Sequence, residues 1–200
     1  MSLQGKKASK KLCFVTVGAT ASFNSLISAT LHPQFLDALS KAGYTNLLVQ
    51  YGKDGKAVFD KLTSELDGLA GHGIAIDGFD FNRDGLDQEL KAAKGLPENS
   101  EGVVISHAGS GTILAVLRID VPLVVVPNED LLDNHQVELA KVLEEQGYVI
   151  YGRLEDLPAT IAKSEELRIR HKSWPPVNSG AHRQARGLAG VMDEEMGFLD

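Results

Sequence analysis

The sequence predicts an α/β fold built around a mostly parallel sheet, and three observations carry that prediction. Apolar runs without alternation recur along the chain, among them LCFVTV (12–17), GVVISH (102–107) and PLVVVP (122–127). Stretches of helical periodicity separate them. Strands that are apolar on both sides need cover on both sides, and parallel strands joined by helical crossovers supply it. Glycines, thirdly, stand where several of the runs end. The arrangement is Rossmann-like, and ligands in such sheets bind outside the carboxyl ends of the strands.

The elements follow in order. The leader MSLQGKKASKK (1–11) is basic and reads as a flexible, solvated segment. The first strand, 12–17, stops at Gly18. PQFLDALSKA (33–42) opens with a proline suited to a first helical turn and stops at Gly43. NLLVQYG (46–52) is the next strand, and 57–66 is a helix with Val58, Phe59, Leu62 and Leu66 on one face. Residues 73–81 read as a strand or strand pair and 84–93 as a short helix. After the buried strand 102–107, a helix starts at Thr112. Strand 122–127 lies between prolines, 134–147 is an amphipathic helix ending at a glycine, and YVIYG is the last strand. Residues 12–174 form one domain on this reading. The tail, 175–200, contains a helix over 181–199 with Leu188, Val191 and Met192 on one stripe, suited to docking on its own domain or on a partner.

Composition narrows the function. The 200 residues carry 27 acidic and 20 basic side chains, a net charge of −7, against the basic stripe of a nucleic-acid binder. No apolar run approaches the ~18 residues of a membrane span. The one cysteine, Cys13, has no partner for an internal disulfide, which fits a reducing compartment.

Three loops fall on the carboxyl edge of the predicted sheet. SHAGSGT (106–112) combines glycines, which adopt positive φ and approach a ligand closely, with the hydroxyls of Ser106, Ser110 and Thr112. A helix start there offers unpaired N–H groups and a positive dipole end, suited to phosphate. A tight turn with a serine N-cap is the alternative for the same residues. VGATASFNS (17–25) is a second small-residue loop, or a plain connection capped by Asn24. NEDLLDNHQ (128–136) places Asn134, His135 and Gln136 at a helix start, where amides suit sugar hydroxyls, or where Asp133 or Asn134 simply caps the helix. No Walker loop, no dinucleotide fingerprint, no nucleophile elbow and no D-x-D metal motif occurs in the chain.

The stretch from Ile105 to Val149, with FVTVGATASFNSLI and GFDF, resembles the asparagine-linked-glycosylation subunit family that adds the second GlcNAc to dolichyl-diphosphate-GlcNAc. It is more distantly similar to the C-terminal half of the bacterial lipid II GlcNAc-transferase. The resemblance covers roughly residues 12–150. It implies one half of a GT-B glycosyltransferase, the half that binds UDP-GlcNAc. A membrane-anchored subunit would hold the acceptor, at the cytosolic face of the endoplasmic reticulum. Carried over by position, Gly18, Ala19 and Thr20 lie near the diphosphate and the reacting centre. Phe79 to Phe81 lie near uracil, contacting it through backbone groups. Ser106, His107, Gly109, Ser110, Gly111 and Thr112 hold the diphosphate, and Asn134, His135 and Gln136 reach the GlcNAc hydroxyls. His107 is the candidate catalytic residue, as a donor-site group with the general base left open between this chain and the partner. In the related enzymes an acidic residue six positions after the first glycine of this turn binds ribose; here Ala115 stands there, and Glu129 is the substitute carboxylate to consider. The expected reaction is inverting transfer without a resident cofactor, Mg²⁺ on the donor diphosphate being at most weakly held. The rival reading is a nucleotide-sugar-binding module without turnover of its own.

Overall fold

The computed structural model describes residues 9–18, 22–67, 73–95, 100–128 and 135–173. The leader up to residue 8, Ala19, Thr20, Glu129, Asn134 and the tail from residue 174 lie outside the described residues.

Six strands form one parallel sheet: β1 (Lys11–Thr16), β2 (Asn46–Gln50), β3 (Ala75–Phe79), β4 (Ser100–His107), β5 (Leu123–Val126) and β6 (Ile150–Tyr151). Their spatial order is β3-β2-β1-β4-β5-β6, the order of a Rossmann sheet. Every pairing is parallel, so each connection is a crossover. Those before β3 carry α1 (Asn24–Thr30), α2 (Pro33–Lys41) and α3 (Lys56–Asp67). Those after it carry α4 (Asp87–Lys94), α5 (Ser110–Arg118) and α6 (His135–Glu145), and α7 (Leu157–Ser173) follows β6.

The core is double. On one face Cys13, Val15, Val49 and Ile105 pack with Leu26 and Ile27 of α1, Phe35 and Leu39 of α2, and Leu157, Ile161 and Leu167 of α7. On the other, Phe14, Val104, Leu123 and Val125 pack with Leu90 of α4, Ile113 and Val116 of α5, and Leu139 and Leu143 of α6. The strands alternate inward on both sides, which is why their sequences show no polar face. Cys13 is fully buried, and burial pushes its thiol well above the usual range, so it packs as an apolar residue.

Two elements depart from the expected layout. Helix α1 occupies what reads as loop, and its N-cap is Phe23 with no side-chain cap, where Asn24 was the expected capping residue. Helix α7 is the larger difference, since 157–173 carries no expected element. Its buried stripe includes Thr160, Ser164 and Arg168 among Leu157, Ile161 and Leu167, so the apolar period is broken by polar residues. The hydroxyls are satisfied within the helix: Thr160 Oγ1 donates to the Leu157 carbonyl at 2.6 Å and Ser164 Oγ to Ile161 at 2.7 Å.

Arg168 is satisfied across the fold. Its Nη1 donates to Glu101 Oε2 at 2.9 Å, Nε to Glu165 Oε2 at 3.1 Å and Nη2 to the Gly102 carbonyl at 2.8 Å. Lys11 Nζ meets Glu165 Oε1 at 2.9 Å, the Tyr44 hydroxyl donates to the same oxygen at 2.8 Å, and Lys94 Nζ meets Glu101 at 2.8 Å. Burial alone would raise both carboxyls, but these donors outweigh it and hold Glu101 and Glu165 below the usual carboxylate range. The cluster ties α7 to the starts of β1 and β4, at the edge of the sheet away from the carboxyl ends.

Candidate functional site

The order of the strands reverses between β1 and β4, so the crevice beyond their carboxyl ends is the switch point where Rossmann sheets take ligands. Two glycine turns meet there. After β1 the chain turns at Gly18, whose φ of 82° lies in the left-handed region that favours glycine. After β4 it turns through Ala108 and Gly109 into α5.

The His107 ring stands between them. A Cβ built on Gly18 would lie 2.6 Å from His107 Nε2, and one on Gly109 would lie 2.8 Å from Cε1. Gly109 has a φ of −80°, so the requirement at this position is close approach to the imidazole, and the positive φ expected of this turn belongs to Gly18 instead. Burial lowers the His107 pKa, opposed by a hydrogen bond to the Thr16 backbone, and Nδ1 is buried without a partner among the described residues. The ring is therefore neutral near pH 7.

Helix α5 begins at Ser110, inside the turn where the phosphate reading needs a helix start. Its N-cap is Gly109, with no side-chain hydrogen bond, so a serine cap is not what the turn provides. The first N–H groups of α5 point out of the helix with no capping side chain, at the positive end of its dipole. Ser110 and Thr112 are partly exposed beside them, and Gly111 is exposed with open space where a Cβ would go.

Behind the turns lies a row of polar side chains that sequence reasoning gave no site role, Ser106 excepted. Thr16, Gln50 and Ser106 are adjacent in register on β1, β2 and β4, and all are buried. The Thr16 hydroxyl donates to Gln50 Oε1 and accepts from the Gly18 N–H at 3.2 Å. Ser106 Oγ donates to the His107 carbonyl at 2.6 Å, which also accepts from the Gly109 N–H at 2.8 Å. The Ser106 hydroxyl is thus turned into the fold rather than outward. Asn128, just past β5, donates from Nδ2 to the Ser22 carbonyl at 3.2 Å. The signal was present in the sequence: CFVT, LLVQ, VVIS and VVVPN each place a polar residue near the end of an apolar run.

The other expected residues are more spread. His135 opens α6 and is exposed, with Nδ1 3.8 Å from Glu138 Oε2. Gln136 Oε1 is buried without a partner among the described residues. Phe79 stacks on Phe14 with ring centroids 6.4 Å apart, and its carbonyl accepts from the Tyr51 N–H. Phe81 is 42% exposed. The end of β3 is two strands from β1, about 10 Å at ordinary strand spacing, so these aromatics do not converge with the turns. Ala115 is partly buried against the α4–α6 side of the core. Past β5 and β6 the same edge carries a cleft of about 210 Å³ lined by Phe23, Ser25, Asn128, Arg153 and Glu155, among others. Among the described residues no group of three His, Cys, Asp or Glu side chains is placed to hold a metal ion, and no helix is long and apolar enough to cross a membrane.

Comparison with known proteins gives a consistent result. Residues 12–173 match the model of the glycosyltransferase family 28 C-terminal domain. The UDP-N-acetylglucosamine transferase subunit ALG13 of Cryptococcus neoformans var. neoformans is 41% identical over 176 residues, 80% of this chain and 84% of that protein. A solution NMR structure of ALG13 is similar with a TM-score of 0.61 at 30% identity, covering 79% of this chain and 87% of that one. A crystal structure of Acinetobacter baumannii MurG has a TM-score of 0.57 at 18% identity, covering 96% of this chain and 50% of that one, a likeness of fold.

Proposed function

This chain belongs to the glycosyltransferase family 28 C-terminal domain family, and on that footing we propose that it is the donor-binding subunit of a two-chain UDP-GlcNAc transferase. The reaction is transfer of GlcNAc from UDP-GlcNAc to dolichyl-diphosphate-GlcNAc, the second step of lipid-linked oligosaccharide assembly. A membrane-anchored subunit holds the acceptor and recruits this chain to the cytosolic face of the endoplasmic reticulum. The observation that carries the reading is the meeting of two glycine turns at the switch point, beside a helix N-terminus with no capping side chain.

In this reading the N–H groups of α5, with Ser110 and Thr112, receive the diphosphate, and Gly18, Ala19 and Thr20 serve near it and the reacting centre. The acceptor hydroxyl attacks the anomeric carbon and UDP leaves, with inversion. Charge grows on the diphosphate as the bond breaks, and the α5 dipole opposes it where water is excluded. Gln136, His135 and Asn134 hold the sugar hydroxyls, and the backbone around Phe79 and Phe81 lies toward the base. His107 acts as a neutral member of the donor site. No resident cofactor is needed, and Mg²⁺ is at most weakly held on the diphosphate.

An NMR titration of the full chain with UDP-GlcNAc, then with UDP, tests the reading. Shifts are expected at Gly109 to Thr112 and at His135 and Gln136, with transfer on adding the acceptor-binding subunit. Absence of shifts at millimolar ligand, alone and with that subunit, refutes it. Ala115, where a ribose-binding carboxylate is expected, favours one second reading: a nucleotide-sugar-binding module that regulates a partner. Binding without transfer in the reconstituted pair selects that alternative.

A further inference from the structure

We propose that Thr16 and Gln50 are positioning residues for the diphosphate site, acting through the Gly18 turn and its packing on His107. The proposal rests on the donor-site reading above. Neither residue faces the crevice: Thr16 is fully buried and Gln50 is 2% exposed. Both stand in the last layer of the sheet, paired in register, each after an apolar run, Leu12 to Val15 in β1 and Leu47 to Val49 in β2.

Buried polar groups in a core are costly unless bonded, and an apolar pair of the same volume would pack here without that cost. What this pair does is bond the turn. The Thr16 hydroxyl gives its proton to Gln50 Oε1, which fixes the rotor and leaves its lone pairs directed at the Gly18 N–H, 3.2 Å away. The Val17 N–H donates to the Gln50 carbonyl at 3.3 Å, so the same residue holds the turn by backbone and by side chain. Thr16 is also paired in register with Ser106, the residue before His107, whose ring packs against both glycines. The first turn, the imidazole and the second turn are thereby set at one separation by groups that never reach the ligand. A site must be held to within about 0.5 Å by such support if its donors are to converge on one anion.

The test is UDP titration by NMR or calorimetry on the full chain, beside its thermal unfolding midpoint, for T16V, T16S, Q50M and the T16V/Q50M pair. T16V is expected to weaken UDP about tenfold in a chain that stays folded at the titration temperature, Q50M somewhat less. T16S keeps the hydroxyl and restores binding to within about twofold of the starting protein. The double variant loses no more than T16V alone, because both act through one link. If T16V does not fold, T16S and Q50M still decide: Q50M must weaken UDP while T16S does not. Unfolding midpoints that fall with unchanged UDP affinity overturn the positioning role and leave the donor-site reading standing. Failure of the unsubstituted chain to bind UDP, alone and with the acceptor-binding subunit, removes the donor-site reading and this role with it.

Discussion

The space between Gly18 and Gly109 is filled by one imidazole, and that sets what each position tolerates. Gly109→Ala places a methyl against the His107 ring, with Cε1 2.8 Å away. We expect a loss of about 1–3 kcal/mol in urea denaturation, the cost of overpacking. Gly18→Ala adds left-handed strain to the same clash and costs more. The cause is checked by a cycle: combined with His107→Ala, Gly109→Ala becomes less harmful than it is alone. A fully additive double variant would show that the ring is not the obstacle. This requirement was only partly legible. The sequence displayed the glycines and the histidine together, but the reason for Gly109 is a contact with its own neighbour's ring, which no spacing rule encodes. Thr16 and Gln50 were harder still, since each lies inside a run read as strand, where a single polar residue gives no sign of what it bonds.

Among the elements, α7 shows why part of the fold was hidden. A helix is read from its apolar period, and Thr160, Ser164 and Arg168 occupy three places in that stripe. Their polarity is neutralised by hydrogen bonds inside the helix and across to β4, information that lies 66 residues away for the Arg168 to Gly102 bond. By contrast, α2, α4 and the strands were legible because burial and periodicity agree there, as at Pro33 and the Phe35–Leu39 face of α2. The Arg168 cluster has a pH signature. Glu101 and Glu165 have folded pKa values below their unfolded ones, so their stabilisation is complete above the usual carboxylate range. It is lost as pH falls below the usual carboxylate range and through the depressed folded values. Arg168→Met should cost about 3 kcal/mol near neutral pH, because it leaves buried carboxylates with fewer partners. It should also flatten the acid limb, and unfolding followed from pH 7 to pH 2 in both proteins measures both effects. An acid limb identical to that of the starting protein would mean that the cluster does not govern it.

For the whole molecule, the sheet separates two tasks. The carboxyl edge gathers the turns, the α5 N-terminus and the start of α6, while the opposite edge gathers the Arg168 cluster. The fold class, the strand sequence and the edge on which the glycine turns gather were legible because a parallel sheet leaves so few places for its loops. The tail was assigned to docking on sequence alone and lies outside the described residues. If it docks the proposed acceptor-binding subunit, a chain ending at Ser179 should keep the UDP-induced NMR shifts expected of the full chain and lose co-purification with that subunit. Retention of the partner by the shortened chain would return the docking role to the domain surface.

The clasp between Lys11, Glu165, Arg168 and Glu101 has a mechanical meaning too. It joins the first strand to the last helix, so tension applied between Ser9 and Ser173 enters the fold at one pole. On the helix side the load falls first on these side chains, and on the strand side it is shared with the bonds from Ser9 to Ser100 and from Lys11 to Thr45. Helix α7 should peel away first, and the crevice at the far pole keeps its shape until it has gone.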